Sequence, residues 1–195
     1  MLKFIKSYFR REIRIGLVPM SAKPYHKGHH QLVQRAASQN QKVYLYVSTS
    51  DRVKKNEFPI YGKDMEFIWQ NYLEDILPKN VNVIYGGSPV GKVYTQIREA
   101  NNHKNKITYS IYSDVKDIEI NYPEKNRIKY FGDLYHKGKI KFVGLTRGKD
   151  SVDVSGTQMR RLLSENDFNT FSKYLPDQVN AKNVWNRLKN EAKQV

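Results

Sequence analysis

The sequence predicts an α/β domain built on a parallel sheet of about five strands with helices packed against it. Two observations carry this. Five short runs rich in β-branched and aromatic residues are spaced by segments of helical pattern, the signature of βαβ units with right-handed crossovers. A length of 195 residues, 39% hydrophobic and 27% charged, suits one well-cored globular domain. No repeat, low-complexity tract or composition shift marks a second domain, so residues 1–195 read as a single unit.

Strands are predicted near 13–18, 42–48, 81–85, 107–112 and 140–145. Helices are predicted near 28–39, 62–76, 90–103, 156–164 and 178–192, the last with Val184, Trp185 and Leu188 on one docking face. Residues 116–139 interrupt the rhythm. They are charged, contain Pro123, Gly132 and Gly138, show no clear period, and read as a long loop or lid.

Composition narrows the function. The absence of cysteine excludes a disulfide framework, a thiolate metal site and a cysteine nucleophile, and fits a reducing, cytoplasmic setting. The basic N-terminus, Met1 to Arg11, has charges breaking every apolar run, so it reads as neither a signal peptide nor a membrane span. It reads instead as an edge segment packed on the domain, with a short amphipathic surface helix as the alternative. A formal net charge of +15 points to anionic partners: nucleotides, acidic metabolites or nucleic acid. The lysines are scattered, and no zinc-finger spacing or RNP-like motif appears, which places nucleic acid behind small anions. A homo-oligomer is compatible with the chain.

Three of the five histidines, His26, His29 and His30, fall within five positions, just after the first strand. His26 and His29 are three apart and can share a face of the first helical turn. Gly28 lies between them. Strand, loop and helix start together form the place where an α/β protein holds phosphate, because free N–H groups and the helix dipole converge there. After the last strand comes Val154-Ser155-Gly156-Thr157-Gln158-Met159-Arg160. Ser155 can cap the following helix, Gly156 permits close backbone approach, and Thr157 and Arg160 share a face.

These two stretches together resemble the nucleotidyltransferase superfamily, whose members carry HxGH early and ISGTxxR or ISTTxxR late on a Rossmann-like sheet. The resemblance spans residues 13 to about 165 and is strongest toward the archaeal-type nicotinamide-nucleotide adenylyltransferases. Their Gly-Arg-Phe-Gln-Pro-Phe-His-x-Gly-His aligns with Met20 to His29. Met20, Ala22 and Lys23 depart from the family's glycine, aromatic and glutamine, and Val154 replaces isoleucine. An arginine usual near the start of the second long helix is also missing, with Lys63 in its vicinity.

The resemblance implies transfer of a nucleoside monophosphate, AMP from ATP or CMP from CTP, onto a phosphate-bearing acceptor such as nicotinamide mononucleotide, with release of pyrophosphate. It implies His26, His29 and Arg160 as catalytic residues, and Ser155, Gly156, Thr157 and Gly28 as phosphate-binding ones; Lys23, where the family has glutamine, joins these because a lysine there can hold a phosphate directly, unless the loop serves a different acceptor. Mg²⁺ would be held through the nucleotide phosphates rather than by a protein cage. Asp114, closing the fourth strand, is a candidate nucleotide or acceptor contact and equally a turn residue.

Three rival readings stand beside this one. Gly86-Gly87-Ser88-Pro89-Val90-Gly91-Lys92 matches a P-loop string up to its last position, where Val93 replaces the hydroxyl residue. The charge and fourteen tyrosines suit a non-catalytic nucleic-acid or anion-binding module. A zinc hydrolase using His26, His29 and His30 is the third, although no carboxylate lies within that cluster.

Overall fold

The central strand β1, Ile13–Met20, is buried along its last six residues and supplies apolar side chains to both sheet faces. Such a run is what a parallel strand covered on both sides requires. The computed structural model describes residues 12–100 and 106–191. The N-terminal segment discussed above, and the predicted helical residues 101–103 and 192, lie outside these.

After β1 come α1 (Lys27–Gln39), β2 (Lys42–Val47), α2 (Gly62–Ile68), β3 (Val81–Tyr85) and α3 (Pro89–Ala100). Then follow β4 (Ile107–Asp114), α4 (Val115–Asn121), α5 (Glu124–His136), β5 (Ile140–Leu145), α6 (Gly156–Ser164), α7 (Phe168–Lys173) and α8 (Ala181–Glu191). The five strands form one all-parallel sheet in the order β3-β2-β1-β4-β5. All five lie where the sequence places them. The first crossovers run from β1 outward to β3, and the chain then returns to the other side of β1 for β4. The topological switch therefore falls between β1 and β4, and ligands of open parallel sheets bind beyond the strand ends at that point.

One face of the sheet packs Val18, Met20, Val43, Leu45 and Val47 against α1, α2 and the C-terminal helices. The opposite face packs Ile15, Leu17, Tyr109 and Ile111 against α3 and α5. The predicted helix 62–76 is real but not uniform. It passes from α2 into a π-helical turn at Trp69–Leu73 and a 3₁₀ turn at Glu74–Ile76.

Residues 116–139 are not a structureless loop. They form α4 and α5, with Asp114 capping the first through its side chain. Ile118 and Tyr122, one helical turn apart, are buried, and Pro123 starts α5. The weak periodicity has a physical cause: α5 buries only Phe131, and Gly132 breaks it with φ +49°. The helix α7 went unanticipated because its six residues carry a single fully buried side chain, Phe171.

Among the described residues, no helix is long and apolar enough to cross a membrane.

Candidate active site

A cleft of about 290 Å³ opens at the carboxyl ends of β1, β4 and β5. All nine residues singled out from the sequence line it: Lys23, His26, Gly28, His29, Asp114, Ser155, Gly156, Thr157 and Arg160. The two motifs, about 130 residues apart in the chain, thus meet at the switch point.

His26 is the N-cap of α1, in extended conformation, and its Nδ1 accepts from the His29 backbone N–H at 3.4 Å. That bond leaves Nε2 to carry the proton. The imidazoles of His26 and His29 stack 3.7 Å apart, and Tyr25 continues the stack behind His29 at 5.7 Å. A Cβ on residue 28 would stand 3.2 Å from the His26 ring, so glycine keeps this turn open.

Tyr25 is itself buried against Trp69 and shares a hydrogen bond with His30 Nδ1 at 3.1 Å. His30 therefore belongs to the support of the turn and does not line the cleft. Burial lowers the pKa of both His26 and His29, His29 to about 3, and the Arg147 charge lowers them further. For His26 the neighbouring His29 adds to the effect. Both rings are neutral N–H donors at ordinary pH.

Across the cleft, Ser155 caps α6 by accepting from Gln158 N–H at 3.1 Å. Arg160 is 5% exposed, and its guanidinium makes three bonds. It donates to Lys23 O at 2.7 Å, to Thr157 Oγ1 at 2.9 Å and to Glu57 Oε2 at 3.0 Å. A Cβ at residue 156 would lie 3.0 Å from Arg160 Nη1 and 3.1 Å from Lys23 O, so only glycine leaves room for that contact.

Lys23 has partners of its own within the protein. Its ammonium, anticipated as a direct phosphate ligand, is bonded to Ser48 Oγ at 3.1 Å, Ser50 Oγ at 2.9 Å and the Ser50 carbonyl. Burial lowers its pKa, with Asp51 opposing. The residue ties the β1 loop to the end of β2 while its carbonyl holds Arg160.

Asp114 takes the turn role weighed for it, and its side chain also faces the cleft. It caps α4 by accepting from Lys116 N–H at 2.9 Å, and it lines the cleft in an ion pair with Arg147 at 3.2 Å. Arg147, Arg52, Ser113, Asp117 and Ser151 also line the cleft and were not anticipated. Arg147 lies only eight residues before Ser155, so proximity to the second motif was the available signal. Asp117 carries a raised pKa, from burial first and then from Asp114.

The rivals fare differently. The Lys92 ammonium donates to the Tyr85 carbonyl at 3.0 Å, and Gly86–Lys92 is absent from the lining of the cleft. Among the described residues, no group of three histidine or carboxylate side chains is placed to hold a metal.

Residues 15–83, from β1 through β3, match the family model of the citrate lyase ligase C-terminal domain. That segment contains His26 to His29 but ends before Ser155. No curated protein matches the chain. Among solved structures, the fold is similar to a crystal structure of Thermotoga maritima TmcAL bound with alpha-thio ATP, at 13% identity and a TM-score of 0.49. The alignment covers 94% of this chain and 56% of that one, so the chain spans a little over half of that protein's length.

Proposed function

We propose that this protein is a nucleotidyltransferase that moves a nucleoside monophosphate, AMP from ATP foremost, onto a phosphate-bearing acceptor. The observation that carries the reading is the convergence of His26, His29, Ser155, Thr157 and Arg160 on one cleft at the switch point of the sheet. The match of the segment holding His26 and His29 to a ligase domain supports an ATP-using enzyme.

In this reading an acceptor phosphate oxygen attacks the α-phosphorus of the triphosphate. A new P–O bond forms, the bond from the α-phosphorus to the bridging oxygen breaks, and pyrophosphate leaves with the electron pair. The protein forms no covalent bond, so its work is positioning and charge stabilisation. His26, proton on Nε2, and His29 donate to the α- and β-phosphate oxygens as negative charge builds. Arg160 and the α6 start, with Ser155, Gly156 and Thr157, hold the β- and γ-phosphates. Lys23 contributes through its carbonyl, which fixes Arg160. Asp114 meets the ribose or the acceptor.

The carboxylates of Asp114 and Asp117 give the cleft hard oxygen donors, which fit Mg²⁺ carried mainly on phosphate oxygens and water. Such an ion, when bound, would supply neutralisation of phosphate charge.

The test is a matrix of ATP and CTP against nicotinamide mononucleotide, phosphopantetheine, phosphocholine and sugar phosphates with Mg²⁺, reading pyrophosphate. At least one pair should release pyrophosphate only when both partners are present, and the productive triphosphate decides between adenylyl and cytidylyl transfer. Acceptor-independent release of inorganic phosphate, or no turnover with any pair, would overturn the reading.

A further inference from the structure

Resting on the triphosphate-binding role just proposed, the geometry points to Arg52 as a further phosphate-binding residue, latched by Glu57, which occupies its guanidinium in place of a terminal phosphate group.

The segment after β2 closes on itself. Arg52 N–H donates to Ile60 O at 2.8 Å and Ile60 N–H returns to Arg52 O at 3.0 Å. Phe58 and Ile60 anchor this loop in the core, while Val53, Lys54, Lys55 and Asn56 are exposed. Arg52 is thereby fixed at the loop base with its side chain lining the cleft.

One carboxylate joins the two arginines on this side of the cleft. Glu57 Oε2 accepts from Arg52 Nε at 2.9 Å and from Arg160 Nε at 3.0 Å, and Oε1 accepts from Arg52 Nη2 at 3.0 Å. The Arg52–Glu57 contact is a two-oxygen fork, the same shape a phosphate presents to a guanidinium. The two arginines are not equivalent. Arg160 is nearly inaccessible and has Lys23 O and Thr157 besides Glu57. The Arg52 side chain is 29% exposed, and among the described residues both its guanidinium hydrogen bonds go to Glu57. An arriving phosphate can replace Glu57 on Arg52 while Arg160 stays anchored by its other two partners. Arg52 is the more accessible half of a two-arginine clamp, and Glu57 is its resident competitor.

The test uses calorimetric titration of the full chain with α,β-methylene-ATP, inorganic pyrophosphate and AMP. Arg52→Ala should weaken α,β-methylene-ATP and pyrophosphate tenfold or more and leave AMP unchanged. Glu57→Gln keeps an oxygen for Arg160 but removes the competing charge, and should tighten pyrophosphate several-fold. In the double variant that gain should vanish, because it acts through Arg52. Should Glu57→Gln fail to fold, Arg52→Lys, which keeps charge but loses the fork, should give an intermediate loss. Unchanged pyrophosphate binding in Arg52→Ala, or weakening in Glu57→Gln to match Arg52→Ala, would overturn the inference. If wild type binds α,β-methylene-ATP and Arg160→Ala weakens it while Arg52→Ala does not, only this inference falls. If wild type binds neither the ATP analogue nor pyrophosphate, the proposed function falls as well.

Discussion

The rings of His26 and His29 lie 3.7 Å apart and 19° from parallel, one capping the helix on which the other stands. Under the proposed transfer the pair separates a structural task from a chemical one. His26 accepts the His29 backbone N–H, so its removal costs a helix cap, about 1 kcal/mol. The His29 side chain makes no such contribution to the helix end. His29→Ala should therefore melt close to wild type yet lose roughly a hundredfold in transfer rate, the usual effect of deleting one charge-stabilising donor. His26→Ala should lose both activity and stability. Paired thermal melts and pyrophosphate-release rates check this, and near-normal turnover in His29→Ala would remove the residue from the chemistry.

Burial also gives the pair a pH signature. Both folded pKa values lie below the ordinary 6.5, His29 at about 3. Below pH 6.5 the unfolded chain takes up protons that the folded chain refuses, so stability is complete above that pH and falls as acid is added. The slope for each histidine is at most about 1.4 kcal/mol per pH unit. For His29 the loss continues until pH reaches about 3. Urea titrations at pH 7.5 and 5.5 should show the decline, and His29→Gln should flatten it. Equal slopes in the two proteins would mean that His29 titrates normally when folded.

Local chemistry decided what could be read from the sequence. The strands were legible because a parallel sheet covered on both faces demands unbroken apolar runs, as in β1. The cleft-lining residues were legible because His26-x-Gly28-His29 and Ser155-Gly156-Thr157 each compress a helix start into four residues or fewer. Arg52 and Glu57 were not, since their meaning arises only when a loop closes and brings Arg160 against them from over a hundred residues away. The partners of Lys23 were hidden for the same reason: Ser48 and Ser50 come from the neighbouring strand end. The helices of residues 116–139 were hidden by few buried positions and a glycine break.

Gly156→Ala tests the coupling between the β1 loop and α6. The added methyl would press within about 3 Å of both Arg160 Nη1 and Lys23 O, forcing apart partners now 2.7 Å from each other. Overpacking of this kind costs about 1 to 3 kcal/mol. Because the strain falls on Arg160, triphosphate affinity should drop more than tenfold while the far-ultraviolet spectrum stays native. Titration with α,β-methylene-ATP measures it. Wild-type affinity would show that Arg160 tolerates displacement.

Gly62→Ala should damage the fold itself. A Cβ there would sit 1.7 Å from the Thr49 carbonyl oxygen, an overlap that no rotamer relieves because both partners are backbone. The Gly62 N–H donates to Asp51 Oδ1 at 2.7 Å, so the start of α2 cannot shift without losing that bond. Moving it would also disturb Asp64, 1% exposed and paired with Arg187 of α8 at 2.7 Å. Uncoupling a buried ion pair adds about 3 kcal/mol to the overpacking cost. The variant should lose at least 3 kcal/mol in urea unfolding or fail to accumulate as folded protein. Arg187→Met removes the charge from Asp64 and the guanidinium from the Phe67 ring without touching the approach of α2 to Thr49, so it measures the loss of these Arg187 contacts without the overpacking. If Gly62→Ala unfolds no more readily than Arg187→Met, the close approach of α2 to Thr49 is not a constraint on the fold.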